Sequence, residues 1–403
     1  MSDTSTARTQ ATFRPPVMEA RRWLDGVSFP PERPLINVSQ AAPVDPPPET
    51  LRRAMAEAVM TDPQAHLYGP VLGRPELRAE VAAQWSTAYG GQVSESQVAI
   101  TSGCNQAFCA AISTLCGAND EVILPVPWYF NHKMWLDMAG ATAVPLPTGP
   151  TLLPDPERAA TLIGPRTRAI VLVTPNNPGG VEYPPDLIRA FADMARAHGL
   201  ALIVDETYRD FHSRDGAPHT LFADPDWDAT LIHLYSFSKA YRLTGHRVGA
   251  MVASAARLAE AEKFLDTVTI CPNQLGQIAA LEGMRTLRQW LAGERAEILS
   301  RRAAIEAGMP ALEARGWRLM GAGAYFAYLR HPFAAPSDAL ARDMVGRAGV
   351  LALPGTMFMP AGDADGKAQL RIAFANVDND GIAQLFERLA ALELPLAQLS
   401  GSA

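Results

Sequence analysis

The residue with the most chemical promise is Lys239, set in residues 231–251, which read LIHLYSFSKAYRLTGHRVGAM. An apolar run (Leu231, Ile232, Leu234) ends in a Ser-x-Ser-Lys turn, and a second apolar run begins at Val248. A lysine between two buried segments loses hydration. Its ammonium becomes costly, and its pKa falls toward the range of a nucleophilic amine. Such an amine can form a Schiff base with an aldehyde. Ser236 stands three residues before it and Arg247 eight after, a hydroxyl and a guanidinium suited to a phosphate on the same ligand. On its own, Ser-x-Ser-Lys favours an ordinary surface turn. The Gly-x-Arg-x-Gly tail makes the segment more specific.

Other polar groups end apolar runs in the same way. Asp205-Glu206-Thr207-Tyr208 follows the run 201–204, where a carboxylate is expensive without a positive partner. A protonated pyridine nitrogen is such a partner, although Asp205 could instead cap the next element. Asn176-Asn177-Pro178-Gly179-Gly180 follows the run 169–174. An Asn before proline is biased to extended backbone, which aims its amide at a ring oxygen or simply makes an Asn-Pro turn. Ser102-Gly103-Cys104-Asn105 joins the run 97–101 to a helical stretch. The free N–H groups of a helix start can hold a phosphate, but Ser-Gly is common in strand–helix turns.

These residues need a frame that brings strand ends together. The chain has 403 residues, 48% apolar and 19% charged, enough to bury a large core in two domains. A net charge of −7 argues against a nucleic-acid partner, and no apolar run approaches a membrane span. Residues 1–20 show no signal-peptide core, so a cytoplasmic protein is expected. Cys104, Cys109, Cys116 and Cys271 form no Cys-x-x-Cys pair and read as reduced thiols, and scattered histidines argue against a metal enzyme. From residue 97 to about 250, strands alternate with helical stretches, the pattern of a mostly parallel sheet. Residues 1–48 look irregular and proline-rich, and residues 274–314 helical. The expected architecture is α/β. A large domain (49–290) holds the parallel sheet flanked by helices. A smaller α+β domain is built from residues 1–48 and 291–403.

In order along the chain come Ser-Gly-Cys-Asn, Pro-x-Pro-Trp-Tyr-Phe-Asn-His, Asn-Asn-Pro-Gly-Gly, Asp-Glu-x-Tyr, Ser-x-Ser-Lys and a late Leu-Arg-Ile-Ala-Phe. The set resembles, from residue 35 to about 393, the motifs of the fold-type I aminotransferases (class I/II, the aspartate-aminotransferase-like family). The resemblance implies pyridoxal 5'-phosphate as cofactor, with Lys239 as its Schiff-base lysine and proton shuttle. It implies that Asp205 pairs with the pyridinium and that Asn177 and Tyr208 donate to the ring oxygen. Gly103, Cys104, Asn105, Ser236 and Arg247 match the phosphate cup. Tyr129 matches the stacking aromatic, a place that Trp128 could also take. Tyr68 resembles the tyrosine lent to the partner subunit, which implies a homodimer with shared sites. Arg371 matches the clamp on the substrate α-carboxylate. Ala41 and Ala42 depart from the glycine that relatives often have in the substrate-covering segment, so that segment, in which Ala41 is expected to bind substrate, is expected to be placed differently.

The implied reaction moves an amino group from an α-amino acid to an α-keto acid. A β-lyase or an aminocyclopropane-carboxylate-synthase-like lyase would share the same lysine, aspartate and arginine. Relatives specific for dicarboxylates use a second arginine before the segment matching Cys271-Pro272-Asn273. Residues 266–270 hold no cation, so a substrate with a neutral side chain, held against Trp128, is expected unless Arg14 or Arg242 swings in. Gly321-Ala322-Gly323 lacks the third glycine of a dinucleotide fingerprint, and residues 362–367 are too short for a P-loop.

Overall fold

The computed structural model describes residues 7–397; residues 1–6 and 398–403, the two ends of the expected small domain, lie outside the described residues. The first strand, β1 (Ile36–Asn37), belongs to the smaller part of the fold. Seven strands then build the main sheet: β2 (Val98–Thr101), β3 (Glu121–Val126), β4 (Thr142–Pro147), β5 (Thr167–Val173), β6 (Ala201–Asp205), β7 (Leu231–Ser236) and β8 (Gly249–Val252). Their spatial order is β2-β8-β7-β6-β5-β3-β4, and β3 to β7 pair in parallel. Only β8 runs antiparallel to both neighbours.

Sequence explains these assignments. In β6 and β7 every residue is buried, the near-continuous apolar pattern of strands covered on both faces. Pro145 and Pro147 confine β4 to the sheet edge, where a missing N–H costs no ladder bond. Side chains alternate, so β6 feeds two cores. Leu202 and Val204 pack with the helices Pro75–Tyr89, Pro185–Ala197 and Gln274–Thr286. Ala201 and Ile203 pack with the helices Cys104–Leu115 and Ala255–Thr269. Asp205 and Glu206 continue that alternation, one toward each side.

The remaining strands are β9 (Arg318–Gly323), β10 (Phe326–Arg330), β11 (Val350–Leu351), β12 (Leu353–Pro354) and β13 (Gln369–Ala373). They form an antiparallel sheet in the order β12-β13-β10-β9, and β11 pairs in parallel with β1. The helix Arg288–Glu313 links the two parts. Trp290 and Leu291 pack on the large core, whereas Ile298, Ile305, Met309 and Leu312 pack on the small one. Gly323, far from binding a dinucleotide, lets β9 approach the Asn-Asn-Pro-Gly-Gly loop: a Cβ there would stand 2.2 Å from the Gly180 carbonyl oxygen. Among the described residues no helix is long and apolar enough to cross a membrane, and all four cysteines are unbridged.

Candidate active site

The carboxyl ends of β5, β6 and β7, with the turn after β2, converge on one cavity of about 400 Å³. Open α/β sheets bind ligands at this edge because the loops there diverge to opposite faces. The cavity is lined by Cys104, Asn105, Tyr129, Asn177, Asp205, Tyr208, Ser236, Lys239, Arg247 and Arg371, with Ala41 above them.

Lys239 sits in a one-turn helix, Phe237–Ala240, that begins where β7 ends. Its Nζ donates to the Ala41 carbonyl oxygen at 2.6 Å. Burial first, then the charges of Arg247 and Arg371, lower its pKa to about 8. Asp205 ends β6 and is 3% exposed. Its Oδ1 accepts from the Thr207 amide at 3.0 Å and the Thr207 hydroxyl at 2.7 Å, and its Oδ2 lies 3.2 Å from His132 Nε2. Burial works against its ionisation, but His132 and Thr207 outweigh burial and hold its pKa below the usual carboxylate value. The His132 ring stacks on Phe108 at 3.9 Å, which fixes the face it shows to Asp205.

Gly103 does not touch the cavity, but it makes room for a residue that does. Its φ is +87°, and a Cβ there would stand 2.2 Å from Arg247 Nη2. Arg247 donates to the Thr244 carbonyl at 2.9 Å and to the Ser238 hydroxyl at 3.4 Å, and meets no carboxylate among the described residues. Ser236, Ser238 and the start of the helix Cys104–Leu115 stand around it. Arg371, on β13, is 2% exposed, with Nη1 donating to Asn177 Oδ1 at 3.1 Å and Nη2 to the Ser39 carbonyl. Phe326 and Phe358 flank the guanidinium at 5.1 and 4.9 Å, and its Nε has no partner. Burial lowers its pKa to about 10. A buried cation with only neutral oxygens around it is incompletely compensated, which suits an anionic ligand.

Besides Gly103, two expected site residues stand outside the cavity. Trp128 is buried outside this cavity, beside Pro127, His132 and Tyr183. Its amide donates to the Phe358 carbonyl at 2.8 Å and its ring packs in the core cluster with Phe108 and Leu136, while Tyr129 faces the cavity. The substrate contact expected of Trp128 is therefore corrected. Tyr129 donates to Asn105 Oδ1 at 3.2 Å and accepts from Asn131 at 2.8 Å; burial raises its pKa to about 12. Tyr68 is 78% exposed and outside the cavity of its own chain.

Sequence reasoning passed over several contributors. His132 lies three residues after Tyr129, a spacing that puts both on one side of a helix start. Thr207 and Ser238 sit beside residues already singled out. The helix Pro16–Arg22 covers the cavity mouth with Pro15, Val17, Met18 and Arg21, within a segment expected to be irregular. Arg242, offered as a swinging cation, is held by Glu294 at 2.9 and 2.8 Å and by Asp45 at 3.1 Å. Arg14 lies 3.7 Å from Glu19.

A lysine with a depressed pKa, a buried carboxylate and two arginines without carboxylate partners among the described residues thus share one cavity. The chain belongs to the class I and II aminotransferases, whose family model matches residues 33–389. It is thus a transaminase that depends on pyridoxal 5'-phosphate, and it transfers amino groups between amino and keto acids. It is 30% identical over 349 residues to a probable aspartate/prephenate aminotransferase of Thermus aquaticus, covering 85% of this chain and 86% of that one. It is 29% identical over 360 residues to the aromatic aminotransferase ISS1 of Arabidopsis thaliana, covering 86% and 87%. The solved aspartate aminotransferase of Thermus thermophilus with maleate superposes with a TM-score of 0.86 at 25% identity, covering 97% of this chain and 99% of that one.

Proposed function

We propose that this cavity holds pyridoxal 5'-phosphate on Lys239 and transfers an amino group from an α-amino acid to an α-keto acid. The observation that carries the reading is the convergence of Lys239, Asp205, Arg247 and Arg371 on one cavity. When bound, the cofactor supplies an aldehyde for amines and a pyridine ring that withdraws electrons from the substrate α-carbon.

The side chains divide the remaining work. With a pKa near 8, Lys239 keeps a fraction of neutral amine at neutral pH, able to attack a carbonyl and then to move a proton. Asp205 stays ionised, so it can hold a proton on a ring nitrogen. Asn177 spends its amide oxygen on Arg371, which frees its NH2 for the ring oxygen, with the Tyr208 hydroxyl as second donor. Tyr129 covers one ring face. Arg247, Ser236 and the amides of Cys104 and Asn105 take the phosphate. Arg371 offers a fork of donors to the α-carboxylate.

We further propose a homodimer. Leu67, Tyr68, Val268 and Ile270 are exposed, and Gly69 donates to Cys271 Sγ at 3.4 Å, which brings the two stretches onto one face. This face would carry Tyr68 to the phosphate of the partner subunit, and sedimentation at the dimer mass is the expected result; a monomer at micromolar concentration would contradict it. The reaction is tested by mixing the cofactor-loaded protein with amino acids. Formation of keto acid, with a shift of the visible band, is expected. Release of ammonia or thiol without amino transfer would favour a lyase instead.

A further inference from the structure

Four cations line the cavity, and the reading above employs three of them: Lys239, Arg247 and Arg371. The fourth is Arg21, on the helix Pro16–Arg22. Its neighbour Glu19 gathers Arg14, Arg22 and Arg342 at 3.7, 3.1 and 3.4 Å on the other side of the helix. Arg21 has no carboxylate partner among the described residues. Instead its Nη2 donates to Gln40 Oε1 at 2.5 Å.

That acceptor places Arg21 relative to Arg371. The Ser39 carbonyl accepts from Arg371 and the Gln40 side chain from Arg21, so adjacent residues of one loop hold both guanidinium groups. The helix is seated through Ala20 in a cluster with Phe130 and Phe358, and Phe358 is also one of the rings against Arg371. Two arginines, each resting on a neutral oxygen, thus face one cavity whose sole lining carboxylate among the described residues is Asp205, already held by Thr207. Carboxylates bind guanidinium more strongly than neutral oxygens do, because the hydrogen bonds are charge-assisted.

We propose that Arg21 binds a second carboxylate of the substrate, so that acidic amino acids and dicarboxylic keto acids are preferred over their neutral counterparts. The proposal rests on the transaminase reading and replaces the expectation of a neutral side chain, which counted cations at residues 266–270 and not on this helix. Arg21 is a specificity residue in this scheme: it touches the far end of the substrate and no reacting atom.

The experiment compares glutamate with glutamine, and aspartate with asparagine, as amino donors to the cofactor-loaded enzyme. The parent should favour the acid in kcat/KM. Arg21→Gln should lower the acid-to-amide ratio on the order of tenfold to a hundredfold, the range for losing a hydrogen bond to a charged group. Arg21→Lys should restore part of the ratio. A ratio unmoved by Arg21→Gln, or a parent that favours the amides, overturns the proposal. Absence of turnover with every amino acid, while Lys239 carries the cofactor, would instead overturn the transaminase reading on which it stands.

Discussion

Asp205 and Glu206 are consecutive, both almost fully buried, and built into opposite environments. Asp205 points to the face of Phe108 and His132 and lines the cavity, where one side of its carboxylate remains open to a ligand. Glu206 points to the other face, into a closed cage. Its Oε2 accepts from the Tyr89 hydroxyl and lies 2.8 Å from His233 Nε2 and 3.6 Å from His219 Nε2. Trp85 Nε1 donates to His233 Nδ1 at 3.2 Å, and the Leu221 amide donates to His219 Nδ1 at 3.2 Å. These donors leave the ring protons on the Nε2 atoms, facing Glu206. A metal would need those nitrogens bare and an acceptor behind each ring. The cluster is therefore a structural ion network, despite its Glu-His-His composition. Burial alone does not mark a functional carboxylate; an open side does.

The largest expected effect that separates the two is on turnover. Asp205→Asn keeps the shape and the Thr207 contact but loses the charge for the ring nitrogen. Turnover should fall by about three orders of magnitude, at the strong end of what a positioned charge contributes, with a stability loss of about 1 kcal/mol. Comparable rates for parent and variant would mean that Asp205 only ends a strand.

For Glu206→Gln the order reverses. Removing one partner of a buried charged network costs about 3 kcal/mol of stability, while turnover of the folded fraction should change less than about tenfold. Urea unfolding and steady-state rates on the same samples check both parts.

A smaller effect appears with pH. Burial works against ionisation of Glu206, but His219 and His233 hold its pKa well below the unfolded value. A depressed carboxylate stabilises the fold above its unfolded pKa, and that stability is lost as pH falls through the folded one. Burial also lowers the pKa of His233, so acid must charge a ring the fold keeps neutral, which acts in the same direction. The parent should lose stability from about pH 6.5 downward, and Glu206→Gln should flatten the part of that slope below about pH 4.3, where the carboxylate titrates, while the histidine part above it stays at least as steep. An unchanged slope would show that the network does not govern acid sensitivity.

The same contrast shows how far the sequence could be read. The open-side residues stand at ends of apolar runs: Asp205 after 201–204, Asn177 after 169–174, Lys239 after β7. Such breaks in hydrophobicity are visible without coordinates. The cage was not visible, because Tyr89, His219 and His233 lie far apart in sequence and meet only through folding. The strand β4 was hidden by its two prolines, and the two-turn helix Pro16–Arg22 by its brevity, which leaves too short an apolar period to detect. Arg21 was lost with that helix. Trp128 and Tyr129 are adjacent aromatics, and only the folded chain shows that Tyr129 is the one facing the cavity.

The central claim is that Lys239 is the amine that carries the cofactor. Borohydride reduction of the purified protein, followed by peptide mass mapping, addresses it most directly. The pyridoxyl mass should appear on the peptide containing Lys239 and vanish in Lys239→Ala, whose turnover should also fall by about three orders of magnitude or more. Reduction that labels Lys133, Lys263 or Lys367 instead, or that labels nothing in a protein competent for amino transfer, would contradict the account.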